Sequence, residues 1–124
     1  MNNSLTVVGY VSQAPKIKRF ASGKQCVEFS VAIKEWELDE HGENRTLFLD
    51  VKAFNGVSER VLKTITKGRE VVLNGRLGVE SFTSAEGKEI SKPIIKLVSF
   101  HLCGRKPEGA VPQAEVKQVA AANN

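Results

Sequence analysis

The sequence is poor in cysteine and aromatic residues, with only two cysteines, one tryptophan and one tyrosine in 124 residues. Two cysteines far apart, Cys26 and Cys103, do not make a disulfide scaffold. No apolar run approaches the roughly 20 residues that a membrane-spanning helix needs. The first residues, Met-Asn-Asn-Ser, lack the basic and apolar segments of a secretory signal. We therefore expect a cytoplasmic protein with free thiols and no association with membranes.

The motifs of catalysis and metal binding are also missing. The sequence has no Cys-x-x-Cys or His-x-x-x-His spacing for a metal, and no Gly-x-x-x-x-Gly-Lys-Ser/Thr loop for phosphates. No serine or cysteine stands in a recognisable nucleophile motif with a histidine. These absences predict a protein that is not an enzyme and that needs no cofactor and no metal ion.

The charge balance is mildly basic. Lysine and arginine number 18 against 14 aspartate and glutamate residues, which gives a formal net charge of +4. The hydrophobic fraction of 41% is ordinary for a globular domain. Such a charge permits an anionic partner without requiring one.

The composition changes near residue 104. Residues 104–124 contain Pro107, Pro112 and five alanines but no aromatic residue. Such a segment cannot bury enough apolar surface to fold by itself. We predict one domain over residues 1–103, followed by a flexible tail over residues 104–124.

Alternation of apolar and polar residues dominates the domain and predicts five strands. In the first four strands, the residues predicted to point inward all have odd numbers, and we call this shared alternation their parity. In a fifth strand, over residues 93–102, the inward side is ambiguous. The predicted inward residues are Leu5, Val7, Gly9, Val11, Val27, Phe29, Val31, Ile33, Leu47, Leu49, Val51, Ala53, Val71, Leu73, Leu77 and Val79. Glycine-containing turns at Gly23, Gly42 and Gly87 separate the strands.

One segment follows helical spacing instead. Val57, Val61, Leu62 and Ile65 predict a helix over residues 57–67, with Ser58 as its N-terminal cap and Gly68 as its stop. Five strands with one helix between the third and the fourth predict an all-β, five-stranded OB-fold barrel.

Four large aromatic residues have the parity of the outer face. They are Trp36, Phe48, Phe54 and Phe82. Each shares its face with charged residues, among them Lys34, Lys52 and Arg76. Aromatic platforms beside cations are how proteins hold single-stranded nucleic acid, because bases stack on the rings and cations meet the phosphates. The pattern therefore predicts a binding face that tolerates any base sequence.

Residues 5–104 resemble the bacterial single-stranded DNA-binding protein family. The similarity lies in Val-Val-Gly-Tyr-Val-Ser-Gln-Ala-Pro near the start, Val-Glu-Phe-Ser-Val-Ala at 27–32 and Lys-Gly-Arg-Glu-Val-Val-Leu-Asn-Gly at 67–75. The family stacks bases on three tryptophans and a phenylalanine. Phe48 and Phe82 fall at two of those tryptophans, Trp36 falls one residue from the third, and Phe54 falls at the phenylalanine. Arg19 and Lys67 match the family's basic contacts.

The resemblance also implies a homo-oligomer, either a dimer or a tetramer, with proteins of replication or recombination as further partners. The apolar first strand is suited to pairing between two copies. Three departures from the family pattern stand out: phenylalanine replaces two tryptophans, Asp50 replaces a cation, and the chain ends Ala-Ala-Ala-Asn-Asn without the acidic tip that recruits partners. They indicate a divergent member, of the kind carried on mobile elements.

The favoured hypothesis is sequence-tolerant binding and protection of single-stranded DNA during replication, recombination or repair. Two alternatives use the same fold. A PriB-type primosomal adaptor would bridge DNA and a replication protein. An RNA-binding module would stack bases equally well, because stacking does not distinguish the sugars.

Overall fold

The computed structural model describes residues 3–104, which form five strands and one helix. The predicted tail, apart from Gly104, lies outside these described residues. The elements, in chain order, are β1 (Leu5–Arg19), β2 (Gln25–Leu38), β3 (Asn44–Phe54), α1 (Asn55–Thr64), β4 (Glu70–Thr83) and β5 (Glu89–Cys103).

The strands close into a barrel in the order β1-β2-β3-β5-β4, with β4 pairing back onto β1. All neighbours are antiparallel except β3 and β5, which run parallel. Closure removes most of the free strand edges that would otherwise attract other chains. The predicted five-stranded OB-fold barrel with one helix is therefore confirmed.

Residues with the inward parity predicted from the sequence fill the barrel. Val27, Val31, Val51, Val71 and Leu73 are fully shielded from solvent, and they belong to one continuous core. β-branched side chains suit this interior because they pack well on a pleated surface. The three predicted glycine turns are also present, since Gly23, Gly42 and Gly87 all have positive φ angles.

Three predicted inward residues are exposed instead. Leu47, Leu77 and Val79 have exposed fractions of 41%, 46% and 67%. Their parity is the inward one, but the β2–β3 and β4–β5 hairpins continue past the closed part of the barrel. No opposite wall covers the inner side of a hairpin there, so the prediction that these residues lie in the core was wrong.

The helix begins and ends earlier than predicted. It starts at Asn55, directly after β3, and its N-terminal cap position is Phe54, whose side chain makes no capping bond. Ser58 lies buried within the helix, where its hydroxyl bonds the Asn55 carbonyl oxygen, so its predicted role as the cap was wrong. The helix ends at Thr64 because Ile65 turns to extended backbone and is buried. Among residues 3–104, no helix has the length and apolarity to cross a membrane.

The ambiguous facing of β5 has a structural explanation. Ile95 points into the core, whereas Ile94 pairs with Asp50 and Gly78 and so lies on the outer face. Ile94 is nevertheless buried, with only 3% exposure. Two consecutive isoleucines on opposite faces are both covered, and this hides the alternation that the other strands show.

Candidate nucleic-acid interface

Three of the predicted aromatic residues lie on one outer sheet surface. Phe48 and Phe54 project from β3, and Phe82 projects from β4, with exposed fractions of 65%, 40% and 45%. The β4–β5 register is unbroken from Gly75 to Thr83, so no bulge inverts the facing of Phe82. We call the outer surface of β2, β3, β5 and β4 that carries these three rings the aromatic face.

Phe48 and Phe54 mark the two ends of the aromatic face along β3. Six residues separate them, which corresponds to about 20 Å of strand. Phe48 is opposite Ala32 on β2, and Phe54 is opposite Cys26. The small side chain of Ala32 leaves the ring of Phe48 open to solvent, so this ring is accessible to a flat ligand.

Trp36 occupies the projecting β2–β3 hairpin. It is 88% exposed, more than any other large hydrophobic residue described. The β2–β3 register shifts between Lys34 and Leu38, so Trp36 sits in an irregular part of the ladder. Trp36 is therefore near the tip of the hairpin, towards the end of β3 that carries Phe48.

A row of cations crosses the aromatic face between its two ends. Lys52 of β3 pairs with Lys96 of β5, and Lys96 pairs with Arg76 of β4. The stem of Lys96 lies over Gly78, where the absence of a side chain makes room for it. The Arg76 guanidinium donates to the carbonyl oxygen of Asn3 at 2.6 Å. Within residues 3–104, neither Lys96 nor Arg76 has a carboxylate at ion-pair distance.

Three carboxylates lie on the same face, and two of them hold lysines of β3 and β5, whereas Glu28 of β2 is paired with Lys18 of β1. Lys52 is paired with Glu80 of β4, and Lys92 of β5 is paired with Asp50 of β3 at 2.6 Å. We call these four residues the carboxylate–lysine network. Lys92 also lies 5.9 Å from the centre of the Phe82 ring, within the range of a cation–π contact. The network therefore adjoins one of the predicted stacking rings.

The pKa values of the network follow from these contacts. The hydrogen bond from Lys92 lowers the pKa of Asp50, and the bond from Lys52 lowers the pKa of Glu80. The bond to Asp50 raises the pKa of Lys92. Both carboxylates are therefore ionised at neutral pH. Ionised Asp50 and Glu80 contribute fully to stability at pH values above about 4, the usual pKa of a carboxyl group in an unfolded chain. This contribution is lost as the pH falls through the lowered pKa values that the two groups have in the folded protein.

The other predicted cations are more dispersed. Lys34 is exposed on the outer face of β2, opposite Thr46, and Arg19 is exposed at the end of β1. Lys67 lies in the turn between α1 and β4, next to Gly68, whose amide bonds the Val11 carbonyl oxygen. The strands of the aromatic face thus carry Lys34, Lys52 and Arg76, whereas Lys67 stands outside them.

Sequence reasoning left Lys92 and Lys96 out of the predicted site. Both share the outer face, because Lys92 pairs with Glu80 and Lys96 with Arg76. The signal that would have selected them is the facing of β5. That signal was obscured because Ile94 and Ile95 are adjacent and both apolar.

A cleft of about 660 Å³ borders the aromatic face on its β1 side. It lies beside the irregular part of β1, where the register with β2 shifts between Gln13 and Lys16. Ser30 and Asp50 line it, and the Ser30 hydroxyl bonds the Asp50 carboxylate at 2.9 Å. Its size is within the range of small-ligand sites. The aromatic face is thus continuous with a recess whose lining includes Ser30 and Asp50.

Known proteins resemble this chain in sequence. The model of the single-strand binding protein family matches residues 2–102. The single-stranded DNA-binding protein of Aquifex aeolicus (strain VF5) is 33% identical over 120 residues, which cover 95% of this chain and 80% of that protein. The corresponding protein of Mycobacterium leprae (strain TN) is 29% identical over 92 residues, covering 71% of this chain but only 55% of its own length.

Solved structures resemble it in fold. The Plasmodium falciparum SSB in complex with ssDNA superimposes with a TM-score of 0.72 at 21% identity, over 84% of this chain and 96% of that one. The small single-stranded DNA-binding protein from Streptomyces coelicolor gives a TM-score of 0.67 at 25% identity, over 83% of this chain and 96% of that one. The resemblance inferred from the sequence is therefore confirmed, and this chain belongs to the single-strand binding protein family.

Proposed function

We propose that this protein binds single-stranded DNA without sequence preference, by stacking bases on Trp36, Phe48, Phe54 and Phe82. The observation that carries the proposal is the exposure of these rings on a barrel of the single-strand binding protein family. Exposed aromatic surface favours a ligand, because stable monomers seldom leave large apolar patches in water. Bases supply flat, apolar faces that any of the four rings accepts.

The cations of the face supply the second part of the interaction. Lys96 and Arg76 on neighbouring strands, and Lys34 on β2, stand within the sheet that carries the rings. A strand of DNA that stacks along the sheet brings its phosphates close to them. Arg19 and Lys67 extend the basic surface beyond the aromatic face. Neutralised phosphates release counterions, so affinity falls as salt rises.

The single tryptophan makes the proposal directly testable. Stacking on Trp36 is expected to quench its fluorescence during titration with oligo-dT, and the signal reports this one site because the chain has no other tryptophan. The apparent affinity should fall between 50 mM and 200 mM NaCl. Double-stranded DNA of the same length serves as the control and should quench little. An unchanged signal with oligo-dT would refute the proposal.

Competition separates DNA binding from the RNA-binding alternative. Unlabelled oligo-U and oligo-dT compete for the same labelled DNA, and the proposed function requires that oligo-dT compete better. Equal or stronger competition by oligo-U would favour the RNA-binding module. The proposed cellular role is protection of single-stranded DNA in the cytoplasm during replication, recombination or repair. This role requires binding but no catalysis, so the protein need not be an enzyme.

We also propose that the protein forms a homo-oligomer through β1. The β1–β4 ladder includes Leu5 to Tyr10, but the β1–β2 ladder begins only at Tyr10. Among the residues described, the β2-facing edge before Tyr10 has no strand partner, and an edge of this kind accepts a second chain. The adjoining side chains of Val8 and Tyr10 are half exposed. A dimer, or a tetramer built from two dimers, would cover this surface.

Light scattering of the purified protein tests the oligomer. We expect the mass of two or four chains at micromolar concentration, and a lower mass for Val8→Asp because a carboxylate would be buried at the interface. Leu38→Asp is the matched control, since Leu38 is equally apolar and exposed but lies in the β2–β3 hairpin. A monomer mass for the unchanged protein would contradict the proposal.

A further inference from the structure

The cations of the aromatic face differ in how freely they can meet a phosphate. The Lys52 side chain is only 14% exposed, and its ammonium group is held by the Glu80 carboxylate. Lys92 lies 2.6 Å from an Asp50 oxygen and 4.0 Å from a Glu80 oxygen. Lys96 and Arg76, which are exposed, have no such carboxylate among residues 3–104. The face thus has two neutralised lysines beside cations that have no ion pair among the described residues, including Lys96 and Arg76.

The two carboxylates hold the ammonium groups that a phosphate would otherwise contact. Asp50 and Lys52 come from β3 and Glu80 from β4, while Lys92 belongs to β5, which lies between those strands. The pairs therefore span the middle of the aromatic face. A carboxylate and a phosphate both accept charge-assisted hydrogen bonds from an ammonium group, so they compete for the same donors.

Asp50 is also held in place from the neighbouring strand. Its second oxygen accepts a hydrogen bond from the Ser30 hydroxyl at 2.9 Å. The lowered pKa values of Asp50 and Glu80 agree with carboxylates that stay ionised and paired at neutral pH. The network is therefore an ordered part of the face and keeps its negative charges there.

We propose that Asp50 and Glu80 compete with DNA phosphates for Lys92 and Lys52, and thereby limit the affinity and the salt sensitivity of binding. This inference rests on the proposed function, because it concerns the same face. DNA must break the ion pairs before these lysines can contact phosphate, and the freed carboxylates then repel it. Binding is consequently weaker and more readily reversed than the number of cations on the face would suggest.

The competition has a distinct signature in salt titrations. For single strands, the slope of log K against log salt concentration is about −0.7 for each neutralised phosphate. A lysine that exchanges a carboxylate for a phosphate contributes less than this. Removing the carboxylates should restore the missing part of this contribution, which steepens the slope by up to about 0.7 for each lysine freed.

The test uses Asp50→Asn, Glu80→Gln and the double variant of the full chain, with labelled oligo-dT as the probe. We expect each single variant to bind more tightly than the unchanged protein at low salt, and the double variant to have a slope steeper by up to about 1.4. Asn and Gln keep the shape of the replaced side chains, and both carboxylates are about one-third exposed, so the fold should persist. Circular dichroism checks this.

Glu59→Gln is the matched control. It changes the net charge by the same amount as each single variant, but Glu59 is exposed on α1, away from the aromatic face. Its affinity and slope should remain near those of the unchanged protein. An equal gain in Glu59→Gln and in the network variants would overturn the inference, because it would show an effect of total charge alone.

A second comparison leaves the carboxylates intact. In the otherwise unchanged protein, Lys96→Gln should reduce the slope by about 0.7, and Lys52→Gln should reduce it by less. If Lys96→Gln and Lys52→Gln reduced the slope equally, the inference would be overturned. It would also be overturned if the network variants bound oligo-dT no more tightly than the unchanged protein, provided that the unchanged protein still bound DNA. Failure of the unchanged protein to bind oligo-dT is a separate result, which would refute the proposed function and this inference with it.

Discussion

Replacement of both Trp36 and Phe48 by alanine is expected to weaken the binding of oligo-dT by about 2–6 kcal/mol. This range assumes that each ring stacks one base, worth roughly 1–3 kcal/mol, and that the two effects add. These two residues are the most exposed of the four rings, at 88% and 65%, so they lose the least contact within the protein when truncated. Anisotropy of labelled oligo-dT measures the change without relying on tryptophan fluorescence.

The matched control is Val79→Ala. Val79 is another large exposed hydrophobic residue, at 67%, but its parity places it on the opposite side of the β4–β5 hairpin from Phe82. Its replacement should leave the affinity near that of the unchanged protein. If the folded double variant bound oligo-dT as tightly as the unchanged protein, the assignment of these rings as stacking platforms would be wrong.

Gly75→Ala is expected to lower the free energy of unfolding by about 1–3 kcal/mol, the usual cost of forcing an extra group into a packed site. Gly75 is buried in β4 at the point where its register with β5 shifts. An added Cβ would collide with the backbone carbonyl oxygen of Lys96 and lie 3.1 Å from an Ile95 methyl group. Backbone atoms cannot rotate away, so the β4–β5 ladder must open there.

Thermal unfolding measures this effect, at roughly 4–8 °C per kcal/mol for a domain of this size. Gly56→Ala provides the control, because Gly56 lies in α1 and an added Cβ would meet nothing within 4 Å. Alanine is the better helix former, so that variant should be as stable as the unchanged protein or more stable by up to about 1 kcal/mol. A Gly75→Ala variant of unchanged stability would show that the ladder relaxes at no cost.

The barrel was predictable because its strands follow a simple period. Leu49, Val51 and Ala53 alternate with polar residues, and burial in the structure follows the same alternation. The limits of the core were not predictable from parity. Leu77 and Val79 continue the pattern of β4, but the hairpin has left the closed barrel by that point. Parity predicts which side of a strand a residue faces. The residue is buried only if another part of the protein covers that side.

The aromatic face was predictable for a similar reason, and the carboxylate–lysine network was not. Phe48 and Phe54 are on one strand, so their common facing follows from their spacing. The network joins Asp50 to Lys92 and Lys52 to Glu80, residues that are 42 and 28 positions apart. Such contacts depend on the register between strands, which a single sequence does not specify. The sequence showed Asp50 in place of a cation of the family pattern, but not the lysine that neutralises it.

The parallel pairing of β3 with β5 also bears on how the chain acquires its structure. Only three residue pairs form this contact, from Asp50 with Ile94 to Lys52 with Lys96. Every other ladder is antiparallel, and without this short junction the sheet would stay open between β3 and β5. The paired residues are 44 positions apart, so loop-closure entropy opposes their contact. The contact also cannot form before the residues of β5 have been synthesised. During translation, one edge of β3 therefore stays unpaired until the chain has been synthesised beyond Lys96, and only then can the barrel close.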